Sequence, residues 1–281
     1  MRMRGQTLSA ESRTDDDAPT LDAIEQLTTS ADVGDRAFAA SVLSIRGHLD
    51  DSERIGALYE RLRGRSRSHH EEDRRRIREG TLDREAFKAR LLATPLATRD
   101  HVLEEILDIA YPPLVEPPQR PDAIPYCPSG LAEIQFMLAN AGLGPRSTFV
   151  DLGSGLGKVP MLVALLTGAR AYGVELDPDL VHRARSAAHA LGLDSVRFIE
   201  GDIRNVPLPP ADVYYMYIPL TDSAPVVERL MSCAADRRML LFSQALNLTK
   251  HPWLRARGSS SYWLEMYEGC ERGPGVDSER R

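Results

Sequence analysis

The residues of this chain that could do chemistry fall in three short runs. The first reads Phe149, Val150, Asp151, Leu152, Gly153, Ser154, Gly155, Leu156, Gly157, Lys158. Glycines at alternate positions let a backbone turn sharply and come close to a ligand, and a helix starting there offers free N–H groups. The second run ends in Glu175, 18 residues beyond Gly157, and the third in Asp202. Carboxylates at all three places repel a diphosphate and attract a cation.

Spacing separates the candidate ligands. A phosphate-binding P-loop reads G-x-x-x-x-G-K-[ST], but Leu152 stands in place of its first glycine and Val159 in place of its magnesium-binding hydroxyl, which argues against ATP hydrolysis. The dinucleotide fingerprint is G-x-G-x-x-G, whereas Gly153, Gly155 and Gly157 make G-x-G-x-G behind an aspartate. S-adenosylmethionine carries an ammonium and a sulfonium and no phosphate, so it suits this loop. Glu175 is then placed to accept from both ribose hydroxyls, with Leu176 beside it; Asp202 would accept from the adenine amino group while Ile203 packs on the ring. Local roles are also open to these acids. Asp177 and Pro178 begin a helix as N-cap and first residue, and Asp202 can cap a turn.

These runs need elements to hold them. The 281 residues are 42% hydrophobic and 27% charged, which excludes a wholly disordered, collagen-like or coiled-coil chain. A net charge of −6 gives no general field toward nucleic acid or anionic lipid. Thirty-two of the 35 basic residues are arginine, so an arginine alone is no signal in this sequence. Cys127, Cys233 and Cys270 are odd in number and far apart, which excludes a disulfide framework or a zinc site; no metal is expected. There is neither an apolar segment behind the basic start nor a membrane span, so the expected compartment is the cytoplasm.

Along the chain, residues 1–19 read as a disordered tail. Apolar residues recur at helical spacing through 20–111 and predict an all-α region of four or five helices. Within it Arg61 to Arg78 carries eight arginines and an acidic triplet, a solvated helix face or loop in the plainer reading and a site for an anionic partner in the sharper one. Seven prolines between Pro112 and Pro128 mark a linker over 112–125. The last part, 126–281, opens with a helix capped by Ser129, then alternates short apolar runs with helical stretches, predicting a parallel sheet wound with helices and six well-formed strands. Asp151, Glu175 and Asp202 fall at successive strand ends, where open parallel sheets bind ligands.

The segments VDLGSGLGK, GVELDP and GDI resemble the class I S-adenosylmethionine-dependent methyltransferases over Tyr126 to Tyr267. The run Tyr126, Cys127, Pro128, Ser129 one helix ahead of the loop is similar to two groups of protein lysine methyltransferases. These are the mitochondrial ATP synthase c-subunit and adenine nucleotide translocase enzymes, and the non-SET histone lysine methyltransferases. The resemblance implies a Rossmann-like α/β sheet with helices on both faces, preceded here by the all-α region. It implies that Tyr126 and Ser129 lie over the methionine moiety, and that Asp151, Gly153, Ser154, Gly155 and Gly157 follow its amino-acid end. Glu175 would then meet the ribose and Asp202 the adenine.

The acceptor side is read from Asp212 to Leu220. The [DN]-P-P-[YF] signature of amino-methylating DNA enzymes is absent there, so nucleic acid is not the expected partner. Tyr215 and Tyr217 share one strand face and, with Tyr126, are the candidate catalytic residues: an aromatic channel for an alkylammonium stem, whose dry walls favour the free amine. Tyr217 would also border the cofactor. Burial in the core is the ordinary fate of such tyrosines. His182 and His189 are expected to face solvent, Lys158 to lie on the surface, and Trp253 and Trp263 to flank a final hairpin. The expected activity is methyl transfer from S-adenosylmethionine to a protein lysine. The alternatives are a small-molecule or natural-product methyltransferase, and an inactive cofactor-binding regulator that holds a partner through Arg61 to Arg78.

Overall fold

The computed structural model describes residues 21–46, 52–110, 121–122, 124, 126–217, 220–234, 239–244, 248, 250–258 and 264–269. The expected tail, nearly all of the proline-rich stretch, Ile218, Pro219, Trp263 and Cys270 lie outside them.

Among the described residues seven strands form one sheet: β1 (Thr148–Leu152), β2 (Arg170–Glu175), β3 (Val196–Glu200), β4 (Val213–Met216), β5 (Leu240–Gln244), β6 (Leu254–Ala256) and β7 (Leu264–Gly269), in the order β3-β2-β1-β4-β5-β7-β6. The first five run parallel, while β7 is antiparallel to both β5 and β6. The sequence pattern suggested six strands, and β6 is the extra one. Three residues are too few to show an alternating pattern, so only its pairing with β7 reveals it. The chain leaves β1 toward β2 on one side and returns to β4 on the other, which opens a crevice at the carboxyl ends of β1 and β4.

All five residues of β1 are buried, as an apolar central strand must be. Its alternate residues serve two cores. Phe149, with Ala171, Val213, Tyr215 and Phe242, packs under α7 (Leu131–Ala141), α8 (Lys158–Thr167) and α9 (Pro178–Ala190). Val150 and Leu152, with Val174, Tyr214 and Met216, pack on the other face against Val226, Val227 and Leu230 of α10 (Ala224–Ala234). Asp177 caps α9 through bonds from the Asp179 and Leu180 N–H groups, with Pro178 first in the helix, as the sequence predicts. For α7 the prediction is corrected. Gly130, not Ser129, is its N-cap, and the Leu131 N–H is taken by Asp100 from another helix.

Among the described residues six helices precede the proline-rich stretch: α1 (Leu21–Thr28), α2 (Val33–Arg46), α3 (Ser52–His69), α4 (Glu71–Arg78), α5 (Arg84–Ala93) and α6 (Arg99–Leu107). The uncounted one is α4, whose single apolar residue, Ile77, cannot produce a period. Helices α1–α3 share a cluster around Ile24, Leu43, Leu58 and Leu62, whereas Ile77, Phe87, Leu91, Leu103 and Ile106 of α4–α6 belong to the core beneath α8. Arg36 and Glu105, both fully buried, join α2 to α6 through two bonds of 2.6 Å, and His70 Nε2 lies 2.9 Å from the same carboxylate. Much of the arginine run is answered from within the chain: Arg61 by Glu25, Arg67 by Asp108, Arg75 by Glu72 and Glu79, Arg76 by Glu72 and Arg78 by Glu71. This pairing fits the plainer reading, a solvated helix face, for the exposed arginines, whereas Ser66, His70, Asp73 and Arg74 of the same run are buried.

Candidate functional site

The glycine loop turns at the carboxyl end of β1 with Gly153, Gly155 and Gly157 at φ 89°, 50° and 78°, values that L side chains rarely adopt. Two bonds pin its start to the neighbouring strand: the Gly153 and Ser154 N–H groups donate to the Val174 carbonyl at 2.8 and 3.0 Å. Tight packing holds the rest. A side chain on Gly155 would run into the Tyr126 ring, and one on Gly157 into the Phe198 ring. The Tyr126 ring therefore lies directly against the loop, and its burial pushes the phenol pKa up.

Three acids border the loop, each in a different state. Asp151 is 2% exposed, and no hydrogen bond reaches its carboxyl among the described residues. Burial first, then the neighbouring Glu175 carboxylate, pushes it well above the ordinary carboxylate range. Glu175 is instead engaged with backbone. Its Oε2 accepts the Gly155 N–H at 2.8 Å, and its Oε1 accepts those of Leu176 and Asp177 at 2.7 and 2.9 Å. Asp202 follows β3, whose end is tied back to β2 by the Gly201 N–H donating to the Glu175 carbonyl at 2.8 Å. Its carboxylate caps its own turn through the Arg204 N–H and holds the Arg204 guanidinium at 2.7 Å, which in turn reaches Asp122 at 2.6 Å. The local role open to Asp202 is thus present in the fold, and Arg204 is a partner that the sequence did not suggest. Ile203 is buried beside it and Leu176 is exposed.

On the other side of the crevice, Tyr215 and Tyr217 stack 4° from parallel with ring centroids 6.4 Å apart. Tyr215 is fully buried, and its hydroxyl donates to Ser129 Oγ at 3.0 Å. Tyr217 is half-buried and lies beside Gln244, whose Oε1 is buried without a hydrogen-bond partner among the described residues. Tyr214 packs on the opposite face, as strand alternation requires.

Residues 149–235 match the family model described as a methyltransferase domain. That stretch is a methyltransferase domain. It runs from β1 to α10, taking in the loop, Glu175, Asp202 and the tyrosines of β4, where the sequence leads one to expect S-adenosylmethionine as the cofactor. A probable ribosomal RNA small subunit methyltransferase A of Methanospirillum hungatei is 32% identical over 108 residues, 37% of this chain and 42% of that protein. A histone-lysine N-methyltransferase specific for H3 lysine 79, from Cryptococcus neoformans, is 54% identical over 43 residues, 15% of this chain and 7% of that one. This chain therefore spans less than half the length of either curated relative. Among solved structures, an RNA methyltransferase from Salinibacter ruber in complex with S-adenosyl-L-homocysteine is 24% identical, covering 55% of this chain and 100% of that one with a TM-score of 0.44.

The residues of the methyltransferase domain suit that cofactor on chemical grounds. A buried carboxyl that no donor reaches among the described residues, Asp151, sits at the foot of a loop whose glycines admit close approach, an environment that suits a cationic ligand.

Sequence reasoning missed several residues of the site. Lys158, expected on the surface, is 3% exposed and held by Asp100 and Glu104 of α6 at 2.6 and 2.7 Å. A signal existed: a cation in the first turn of a helix opposes the helix dipole and calls for acids nearby. Phe198, which floors the loop beneath Gly157 and Gly173, carried no signal beyond being apolar. His182 and His189 are exposed as expected, and no group of three metal-ligating side chains occurs among the described residues. Nor is any helix among them long and apolar enough to cross a membrane.

Proposed function

We propose that this chain transfers a methyl group from S-adenosylmethionine to the side-chain amine of a protein lysine. The observation that carries the cofactor half is the buried Asp151 carboxyl at the end of β1, which no hydrogen-bond donor reaches among the described residues. The loop from Gly153 to Gly157, Asp151, Glu175 with Leu176, and Asp202 with Ile203 would hold the cofactor, and Tyr126 would cover it. When bound, S-adenosylmethionine supplies a methyl on a sulfonium, which a lone pair displaces in line. Such a displacement needs little acid or base chemistry, so the protein's work is alignment and exclusion of water.

The lysine half rests on the tyrosines. Tyr215 is buried in the core, so of the stacked pair only the half-buried Tyr217 would, with Tyr126 at the loop, offer an aromatic surface to an alkylammonium stem. Their low-dielectric surroundings lower an amine pKa, favouring the neutral form that owns the lone pair. The Tyr126 to Ser129 motif and the 43-residue likeness to a histone-lysine enzyme point the same way. The chain's net charge of −6 does not favour an RNA acceptor.

The test is to incubate the protein with methyl-tritiated S-adenosylmethionine and host lysate, separate protein, RNA and small molecules, and hydrolyse the protein fraction to amino acids. Label recovered as methyl-lysine supports the reading. Label confined to RNA or to small molecules overturns the acceptor, and absence of cofactor binding by calorimetry overturns both halves.

A further inference from the structure

Lys158 immediately follows Gly157 as the first residue of α8, and its side chain is 4% exposed. Both of its partners come from α6, a helix of the N-terminal region: Nζ lies 2.6 Å from Asp100 Oδ1 and 2.7 Å from Glu104 Oε1. Asp100 Oδ1 has a second task, since it accepts the Leu131 N–H at 2.7 Å and so caps the start of α7. A single oxygen therefore joins the helix behind the glycine loop to the helix behind Tyr126 and Ser129. Those segments meet where the Tyr126 ring lies on Gly155 with no room for another carbon. After burial, Glu104 is also the charge that contributes most to raising the Tyr126 phenol pKa.

We propose that Lys158, Asp100 and Glu104 are positioning residues. They fix the Gly153–Gly157 turn against the Tyr126–Ser129 segment, so that α6 is a built-in part of the cofactor cradle and not a detachable neighbour. Two considerations separate this from ordinary packing. A buried ionic cluster gives little net stability relative to apolar side chains of similar volume, because desolvation consumes the Coulombic gain; what it supplies is fixed direction. And the residues that it joins, Leu131 and Lys158, each stand at the first turn of the helix that follows a segment of the crevice, where a small displacement alters the gap between ring and loop. The cluster also leaves a net negative charge which, with Asp151 and Glu175, complements a cationic ligand.

The inference rests on the proposed cofactor for its affinity measurement only; amide exchange of the ligand-free protein tests the coupling independently. Two variants are compared with the wild type: Lys158→Met, and the charge-neutral triple Lys158→Met, Asp100→Asn, Glu104→Gln, which strands no buried charge. Lys158→Met is expected to speed exchange at both Leu131 and Gly155, to leave β5 unchanged, and to weaken S-adenosylmethionine binding about tenfold. The triple variant is expected to regain the wild-type melting temperature while keeping both defects, which a purely structural role would not allow. Wild-type exchange and affinity in the triple variant would overturn the proposal, and that variant decides the matter if Lys158→Met does not fold. If the wild type fails to bind S-adenosylmethionine but the exchange pattern holds, the cofactor reading falls and the coupling stands.

Discussion

Glu175 and Gly155, twenty residues apart in sequence, are joined by a hydrogen bond of 2.8 Å that passes from the loop N–H to the carboxylate at the end of β2. The same carboxylate holds the Leu176 and Asp177 N–H groups, so one side chain sets the loop and the turn that leads into α9. Bonds of this charge-assisted kind contribute about 1.5–3 kcal/mol each. Glu175→Ala is therefore expected to lower stability by about 2 kcal/mol in urea unfolding and to weaken S-adenosylmethionine binding by at least about tenfold. Glu175→Gln keeps one acceptor oxygen, for either the Gly155 bond or the Leu176 and Asp177 pair, and should lose less of both. Equal losses in the two variants would show that the carbonyl oxygen is not what matters.

The contact between Tyr126 and Gly155 calls for a double-mutant cycle. Gly155→Ala places a carbon into the Tyr126 ring at a φ of 50°, so it should abolish measurable cofactor binding and cost about 1–3 kcal/mol of stability. Tyr126→Ala clears the ring but not the backbone strain. Gly155→Ala should therefore cost less stability in the Tyr126→Ala background than in the wild type. Additive losses, read by chemical denaturation of the four proteins, would mean that ring and loop do not press on one another.

How much of this was legible in the sequence follows from what each signal depends on. The loop, Asp151, Glu175 and the Asp177 cap could be read because they rest on local chemistry: positive φ at glycines, a helix start, a strand end. Alternation along β4 likewise put Tyr215 opposite Tyr214, as found. The helix dipole signals that Lys158 needs acids nearby, but not which ones, because its partners lie 54 and 58 residues away on α6 and no periodicity links them. The cap of α7 was assigned to Ser129 by the local rule, yet Asp100 arrives from 31 residues upstream and takes the Leu131 N–H, which frees Ser129 to meet Tyr215. Asp202 drew Arg204, two residues on, because an unpaired carboxylate beside a guanidinium gains more from pairing than from staying open.

If S-adenosylmethionine is held at Asp151 as proposed, its binding is expected to depend on pH. The Asp151 carboxyl titrates well above 3.8 in the folded protein because burial, and then Glu175, disfavour its charge. A cation beside it favours the ionised form, so binding should strengthen as pH rises through the raised value and should release a proton below it. Calorimetry of S-adenosylmethionine binding in buffers of different ionisation heat measures that proton. Asp151→Asn should bind more weakly and show neither the proton release nor the pH dependence. An Asn variant with an unchanged proton count would assign the titration to another group.

His101 on α6 predicts how the fold responds to acid. Burial depresses its pKa from 6.5 to about 4, with Arg36, His70 and Lys158 acting in the same direction and Glu105, 3.9 Å away, opposing them. Between those two pH values the unfolded chain binds a proton that the folded chain refuses. The stability held by neutral His101 is thus present above pH 6.5 and lost as pH falls toward 4, up to about 3 kcal/mol. His70, 2.9 Å from the same Glu105, is shifted the other way: its contribution is present below pH 6.5 and fades as pH rises. Replacing His101 by Gln should leave only the second trend, so that acidification from about pH 7 to about pH 4.5 costs the variant about 2 kcal/mol less than the wild type in urea unfolding. Identical acid sensitivity in the two proteins would place the proton uptake elsewhere, with the carboxylates around Arg36 as the next groups to replace.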